Sequence, residues 1–242
     1  MIRIIYYIIL IYFLLGGVGF YFINRKKEHE IARKSYTKFG VYFIIINILF
    51  FSIVINLIAF RYLSILIIGV GFFELFRLFK NSEYRSTGFF LLSFVVYGTL
   101  STGFLLFGTL QKELILFSFI VLSIFDSFSQ IIGQLWGRKK LFPKTSPNKT
   151  FEGFIGGGLI AIGSAFLLKS LYPESELKSL ILTGGVVLFA FAGDLAASFY
   201  KRKFNVKDYS KLIPGHGGFL DRFDSLIVAG AWVAFCIYVL KF

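Results

Sequence analysis

The sequence is short of charge. Of 242 residues only 16% are charged, while 57% are hydrophobic; an average soluble domain carries about 25% charge. That shortage, with several apolar runs of about 20 residues, excludes a soluble globular domain and predicts helices that span a bilayer. Cysteine is nearly absent. The single Cys236 cannot form an internal disulfide and reads as a small apolar packing residue. No Gly-x4-Gly-Lys-Ser/Thr loop is present, which excludes a P-loop ATPase, and no Gly-x-Ser-x-Gly elbow. There is no internal repeat, low-complexity tail or soluble domain. Acidic residues are half as many as basic ones, giving a net charge of +13. In a soluble protein that excess would suggest nucleic acid. Here it sits in short segments between apolar runs, where topology, anionic lipid or a polyanionic substrate explains it, and no nucleic-acid partner is expected.

What is present is an all-α pattern of about eight transmembrane helices in a polytopic bundle. The apolar runs cover roughly 2–23, 39–60, 62–79, 88–110, 113–136, 153–171, 179–200 and 223–241. Only Arg3 precedes the first run and "NRKKEHEIARKSYTK" follows it, so it reads as a first helix and not as a cleaved signal. Most Lys and Arg follow spans one, three, five and seven. Only Arg3, Arg61, Lys112, Lys169, Lys178 and Lys241 fall on the other side. This bias predicts that both termini are extracytoplasmic and the four basic segments cytoplasmic. Residues 1–112 read as scaffold helices with little chemistry. Residues 113–242 read as the catalytic region, with cytoplasmic loops at 138–152 and 201–222.

Two carboxylates sit where lipid would forbid them. Asp126 lies mid-span in "VLSIFDSFSQIIGQLWG", with Ser129, Gln130, Gly133 and Gly137 on its face. Asp194 lies in "FAGDLAASFYKRK", and Ser198 and Lys201 follow on the same stripe toward the cytoplasmic end. An Asp at a bilayer centre costs about 2.5–3.5 kcal/mol on insertion scales, so such groups are retained for a reason. Glu74 differs: near the end of its span, with Arg77 three residues on, it reads as an interfacial ion pair. His29, between Glu28 and Glu30, reads as a solvated loop residue.

The two loops supply the chemistry. In "GRKKLFPKTSPNKTFEGFIGGG", Ser146–Pro147 is a helix-start signal. Lys149 then falls in the first turn, where a cation makes sense if an anion shares the site. In "KRKFNVKDYSKLIPGHGGFLDRFDS", Pro214, Gly215, Gly217 and Gly218 form turns that bring backbone close to a ligand. Asp221, Asp224 and Ser225 share one face of the last helix's first turn. Carboxylates facing Lys201, Arg202, Lys207 and Arg222 suit a hard cation held together with a polyphosphate. His216 and Asp221 also make the His-x4-Asp spacing of lipid acyltransferases, a two-residue match only.

The segment "SFYKRKFNVKDYSKLIPGHGGFLDRFD", residues 198–224, resembles the signature of the phosphatidate cytidylyltransferase (CDP-diacylglycerol synthase) family. The residues that carry it are Ser198, Lys201, Arg202, Lys207, Asp208, His216, Gly217, Gly218, Asp221, Arg222 and Asp224. "SPNKTFEGFIGG", residues 146–157, resembles the family's second segment. Tyr200 stands where an aliphatic residue is usual, and "DSFSQ" from Asp126 replaces a run of small residues. The resemblance implies transfer of CMP from CTP to the phosphate of phosphatidic acid, giving CDP-diacylglycerol and pyrophosphate. It implies Mg²⁺ on Asp194 and Asp221, with Asp126 or Asp224 assisting, and leaves room for a second, monovalent cation. Lys149, Lys201, Arg202, Lys207 and Arg222 would hold phosphates. Ser146, Ser198, Asp208, His216 and the amides of Gly217 and Gly218 would complete the cradle. Membrane lipids and a second copy of the chain, as a homodimer, are the implied partners, in a bacterial inner membrane with the site facing the cytoplasm.

Other readings keep part of this pattern. A cytidylyltransferase for an isoprenoid or ether-lipid phosphate would share the nucleotide site, as would a CTP-dependent lipid kinase. An ion-binding transporter would need Asp126 and Asp194 but not the basic loop. A non-catalytic scaffold would need neither.

Overall fold

Long apolar runs without proline become long helices, and Pro143, Pro147 and Pro173 all fall between helices. The computed structural model describes residues 2–210, 212–213 and 217–242. Its elements are α1 (Ile2–Asn24), α2 (His29–Ile55), α3 (Leu57–Asn81), α4 (Thr87–Phe107), α5 (Lys112–Leu135), β1 (Lys140–Phe142), β2 (Ser146–Thr150), α6 (Phe151–Leu167), α7 (Glu176–Lys203) and α8 (Leu220–Tyr238). The fold is an all-α membrane bundle with one antiparallel hairpin, β1–β2. Six helices, α1 to α5 and α7, are long and apolar enough to cross a membrane. Helix α6, with 17 residues, extends about 26 Å at 1.5 Å per residue. Helix α8 carries Asp221, Arg222 and Asp224 near its start.

Two boundaries differ from the sequence expectation. Helix α2 begins at His29 rather than near residue 39, so most of the basic segment is helical and His29 is its first residue. Ala32, Arg33 and Lys34 are good helix formers, and charge alone does not end a helix. The α2–α3 corner falls at Asn56, which is extended (φ −154°) and accepts the Ile58 N–H at 2.9 Å. That side-chain cap satisfies one of the orphan donors at the start of α3.

Helices α5 and α8 form the centre. Helix α5 packs against α1, α2, α6, α7 and α8, while α8 packs against α3, α4, α5 and α7. Between α5 and α6 the backbones come close. A Cβ on Gly157 would lie 2.7 Å from the Ser129 nitrogen, and one on Gly153 would lie 3.0 Å from the Gly133 Cα. Small residues permit this approach, which lipid-solvated helices use in place of hydrophobic exclusion. The outer faces of α1 and α2 carry exposed Leu14, Val18, Ile44 and Ile48, as a surface in contact with hydrocarbon should.

Candidate active site

A cavity of about 1290 Å³ opens among α1, α2, α5, the hairpin, α7 and the start of α8. Small-molecule pockets are usually about 300–1,000 Å³, so more than one substrate has room. Its walls include Asp126, Ser146, Lys149, Asp194, Ser198, Lys201, Arg202, Lys207, Asp208, Gly217, Asp221, Arg222 and Asp224. Every site residue expected from the sequence and described in the structure is therefore there, except Gly218. His216, Pro214 and Gly215 lie outside the described residues.

Helix α7 delivers the first group. Asp194, Ser198 and Lys201 recur at i, i+4 and i+7, one stripe of a helix. Ser198 Oγ donates to Asp194 Oδ1 at 3.4 Å. Both charged ends of the stripe are paired across the cavity. Asp194 meets Lys149 at 2.6 Å, and Lys201 forms an ion pair with Asp221. Asp194 keeps 40% of its side chain exposed, whereas Asp221 keeps 4% and Lys201 10%. Asp126, Asp194 and Asp224 lie within electrostatic reach of one another.

The second group arrives on the hairpin, and here the sequence expectation is corrected. Ser146 and Pro147 do not start a helix; residues 146–150 form β2. Thr150 is the cap of α6, accepting the Gly153 N–H at 3.1 Å. Lys149 thus projects from a strand, not from a first helical turn. Its ammonium lies over the Phe191 ring at 4.4 Å as well as against Asp194. The hairpin is pinned at both ends. Glu152 accepts the backbone N–H groups of Arg138 and Lys139 at 3.0 and 3.2 Å. Arg202 Nε donates to the Thr145 carbonyl at 3.3 Å, and its Nη1 to the Val206 carbonyl at 2.9 Å. Arg202 therefore ties the hairpin tip to the end of α7.

The third group is the segment into α8. Asp221 Oδ2 accepts the N–H of Tyr209 at 3.0 Å and of Gly218 at 2.7 Å. The Gly217 N–H donates to Ile213 O at 3.2 Å. The amides of Gly217 and Gly218, expected to face phosphate, are thus spent inside the loop. The glycines are needed for space instead. Gly217 has φ +90°, and a Cβ on it would lie 2.9 Å from both Asp208 Cβ and Asp221 Oδ2. Tyr200 faces away from the cavity chemistry: its hydroxyl donates to Leu75 O at 2.9 Å, and its ring stacks on Phe89 and Tyr209.

The donor set suits a hard cation only with help from substrate. Among the described residues no group of three or more His, Cys, Asp or Glu is arranged to hold a metal ion. Mg²⁺ usually takes only one or two carboxylates, with substrate phosphates and water filling the rest. Asp194, open to the cavity, fits that pattern. Asp221 fits it only on releasing Lys201.

Sequence reasoning missed two contributions from residues 1–112. Glu74, expected to pair with Arg77 at an interface, is fully buried. Its Oε1 accepts from Ser210 Oγ at 2.6 Å and the Phe219 N–H at 2.9 Å, and its Oε2 from the Leu220 N–H at 2.7 Å. It caps α8 from another helix, and α8 has no side-chain cap of its own. The second contribution is the face of α2 with Lys34, Thr37 and Lys38, which lines the cavity. Their i, i+3, i+4 spacing was the available signal, hidden because the segment read as a loop.

Comparison with known proteins agrees with this chemistry. The Cytidylyltransferase family model matches residues 2–240. A phosphatidate cytidylyltransferase of Rickettsia prowazekii (strain Madrid E) is 31% identical over 233 residues, covering 90% of this chain and 99% of the relative. One of Rickettsia felis is 34% identical over 190 residues, 74% of this chain and 82% of the relative. One of Bacillus subtilis (strain 168) is 38% identical over 125 residues, 51% of this chain and 46% of the relative. The match runs through the scaffold helices as well as the charged loops, and the chain belongs to the cytidylyltransferase family.

Proposed function

We propose that this chain transfers CMP from CTP to the phosphate of phosphatidic acid, releasing pyrophosphate and forming CDP-diacylglycerol. The observation that carries the reading is the pair of cross-cavity ion pairs, Lys149–Asp194 and Lys201–Asp221, beside Arg202 and Lys207 in one cavity. Carboxylates and lysines alternate there, as a polyphosphate and its counter-cation require. A lipid phosphate is largely ionised near pH 7. Its oxygen attacks the α-phosphorus directly, the new P–O bond forms, and the bond from Pα to the bridging oxygen of the β-phosphate breaks with its electrons on pyrophosphate. No strong base is needed. Alignment and charge stabilisation carry the catalysis. Lys149 and Lys201 turn from their carboxylates to the phosphates, and Lys207 and Arg222 neutralise the leaving group. Mg²⁺, held by Asp194 with Asp221 and assisted by Asp126 or Asp224, would supply further charge neutralisation on the phosphates.

The basic segments follow α1, α3, α5 and α7, and the hairpin and the α7–α8 segment among them line the cavity, so the positive-inside bias supports a site facing the cytoplasm of a bacterial cell. The test is turnover by the purified chain in detergent with Mg²⁺, labelled CTP and phosphatidic acid. Label in the lipid with one pyrophosphate per lipid is expected. Asp194→Asn is the variant of choice, because the lysine it leaves without its carboxylate, Lys149, is more exposed than the Lys201 that loss of Asp221 would leave and also lies over the Phe191 ring. It should lower kcat by about 100-fold or more while the chain stays monodisperse. Release of CDP instead of pyrophosphate would make the enzyme a lipid kinase.

A further inference from the structure

A reaction between two phosphorylated substrates needs two anion sites facing each other. The charged loops supply one. The other wall of the cavity belongs to α2, where Lys34, Thr37 and Lys38 stand on one face. Arg222, Lys207 and Asp208 act electrostatically on Lys38, so α2 looks across at the start of α8. Directly beyond Lys38 the same wall turns apolar: Phe39, Tyr42 and Ile46 of α2, with Ile9, Phe13 and Phe20 of α1. A cationic rim over an apolar wall is the complement of an amphiphile. A free nucleotide is polar along its length and has no use for such a wall.

We propose that Lys38 and Lys34 of α2 hold the phosphate of the lipid substrate, with the apolar α1–α2 wall receiving its chains. The proposal rests on the reading of a lipid phosphate as acceptor. It gives the N-terminal helices a substrate-binding role. Lysine suits the position, since its stem lies along apolar surface while its ammonium stays at the polar level. The Lys149 and Lys201 side is then left to the triphosphate, and the two substrates approach across the cavity as in-line attack requires.

The experiment uses the full chain in detergent. Lys38→Gln, Lys34→Gln and the double variant are compared with Lys38→Arg. A charged hydrogen bond removed from one substrate should raise KM for short-chain phosphatidic acid about tenfold in the double variant. KM for CTP should stay within about twofold, because the interaction is not made with the nucleotide. Lys38→Arg should stay close to wild type. A rise in KM for CTP instead, or no change in either KM, overturns the proposal. Direct binding of radiolabelled short-chain phosphatidic acid is measured in parallel, with the matching diacylglycerol and inorganic pyrophosphate as competitors. Weaker binding by the double variant, resisted by diacylglycerol, supports the site. Equal binding by the two proteins sinks it. Displacement of the labelled lipid by pyrophosphate from the wild type but not from the double variant would reassign the lysines to the nucleotide. Absence of turnover by the wild type would overturn the underlying reaction, while the binding comparison would still decide the lipid-phosphate site.

Discussion

A carboxylate with no exposed surface must be solvated by the protein, and Glu74 is solvated by two backbone N–H groups and one hydroxyl. Those donors belong to the segment that carries Gly217, Gly218 and Asp221, so Glu74 sets where α8 starts. Glu74→Gln keeps the shape but turns one acceptor oxygen into a donor facing a donor. The start of α8 should then shift. Because misplacement of about 1 Å can cost 10²-fold in rate, kcat should fall about 10- to 100-fold. The variant should remain folded, since the hydrophobic contacts of α3 are untouched. Steady-state kinetics with size-exclusion chromatography checks this, and a wild-type kcat in Glu74→Gln would show that the contact only fills space. Glu74 illustrates what local sequence cannot reveal. Its partners are at 210, 219 and 220, more than 130 residues away, while the nearest opposite charge, Arg77, offers a plausible neighbour within one turn. Asp194, Ser198 and Lys201 were legible because their spacing is the helix period itself.

At the scale of elements, the α5–α6 seam and the hairpin together aim Lys149. The seam depends on missing side chains. Gly157→Ala would put a methyl 2.7–2.8 Å from the Ser129 backbone N and Cα, which cannot move without moving α5. Overpacking of this kind costs about 1–3 kcal/mol. Gly163→Ala, on the same helix with nothing within 4 Å, is the control. Gly157→Ala should lower the detergent melting temperature and the activity together, and Gly163→Ala should lower neither. Equal behaviour of the two variants would refute the close seam. The sequence carries a hint of the seam in Gly133 and Gly137, and in Gly153 and Gly157, each pair four apart. The hairpin was not, for a physical reason. Ser-Pro before an apolar run is a good helix start, but Thr150 is also a favoured cap and lies where the glycines can pack. Tertiary packing chose between two local signals.

At the scale of the whole molecule, composition fixed the bundle and charge asymmetry its proposed orientation. The helix count was legible because each apolar run is long; the start of α2 was not, because a basic amphipathic turn and a basic loop have the same composition. Orientation remains a prediction with a direct test. The chain has one cysteine, Cys236, which is buried. Cys236→Ser therefore gives a background in which a single new thiol reports its side of the membrane. Glu174→Cys lies in the exposed α6–α7 connection, and Lys139→Cys at the exposed foot of the hairpin, next to β1. Helix α6 joins those two regions, so they emerge at opposite ends of the bundle. With the basic segments inside, a membrane-impermeant maleimide should label Glu174→Cys in intact cells and Lys139→Cys only after lysis. The reverse pattern would turn the molecule over. The cavity would then face away from the cell's nucleotides, and a cytoplasmic CTP-dependent role would be lost even if the purified chain still bound CTP.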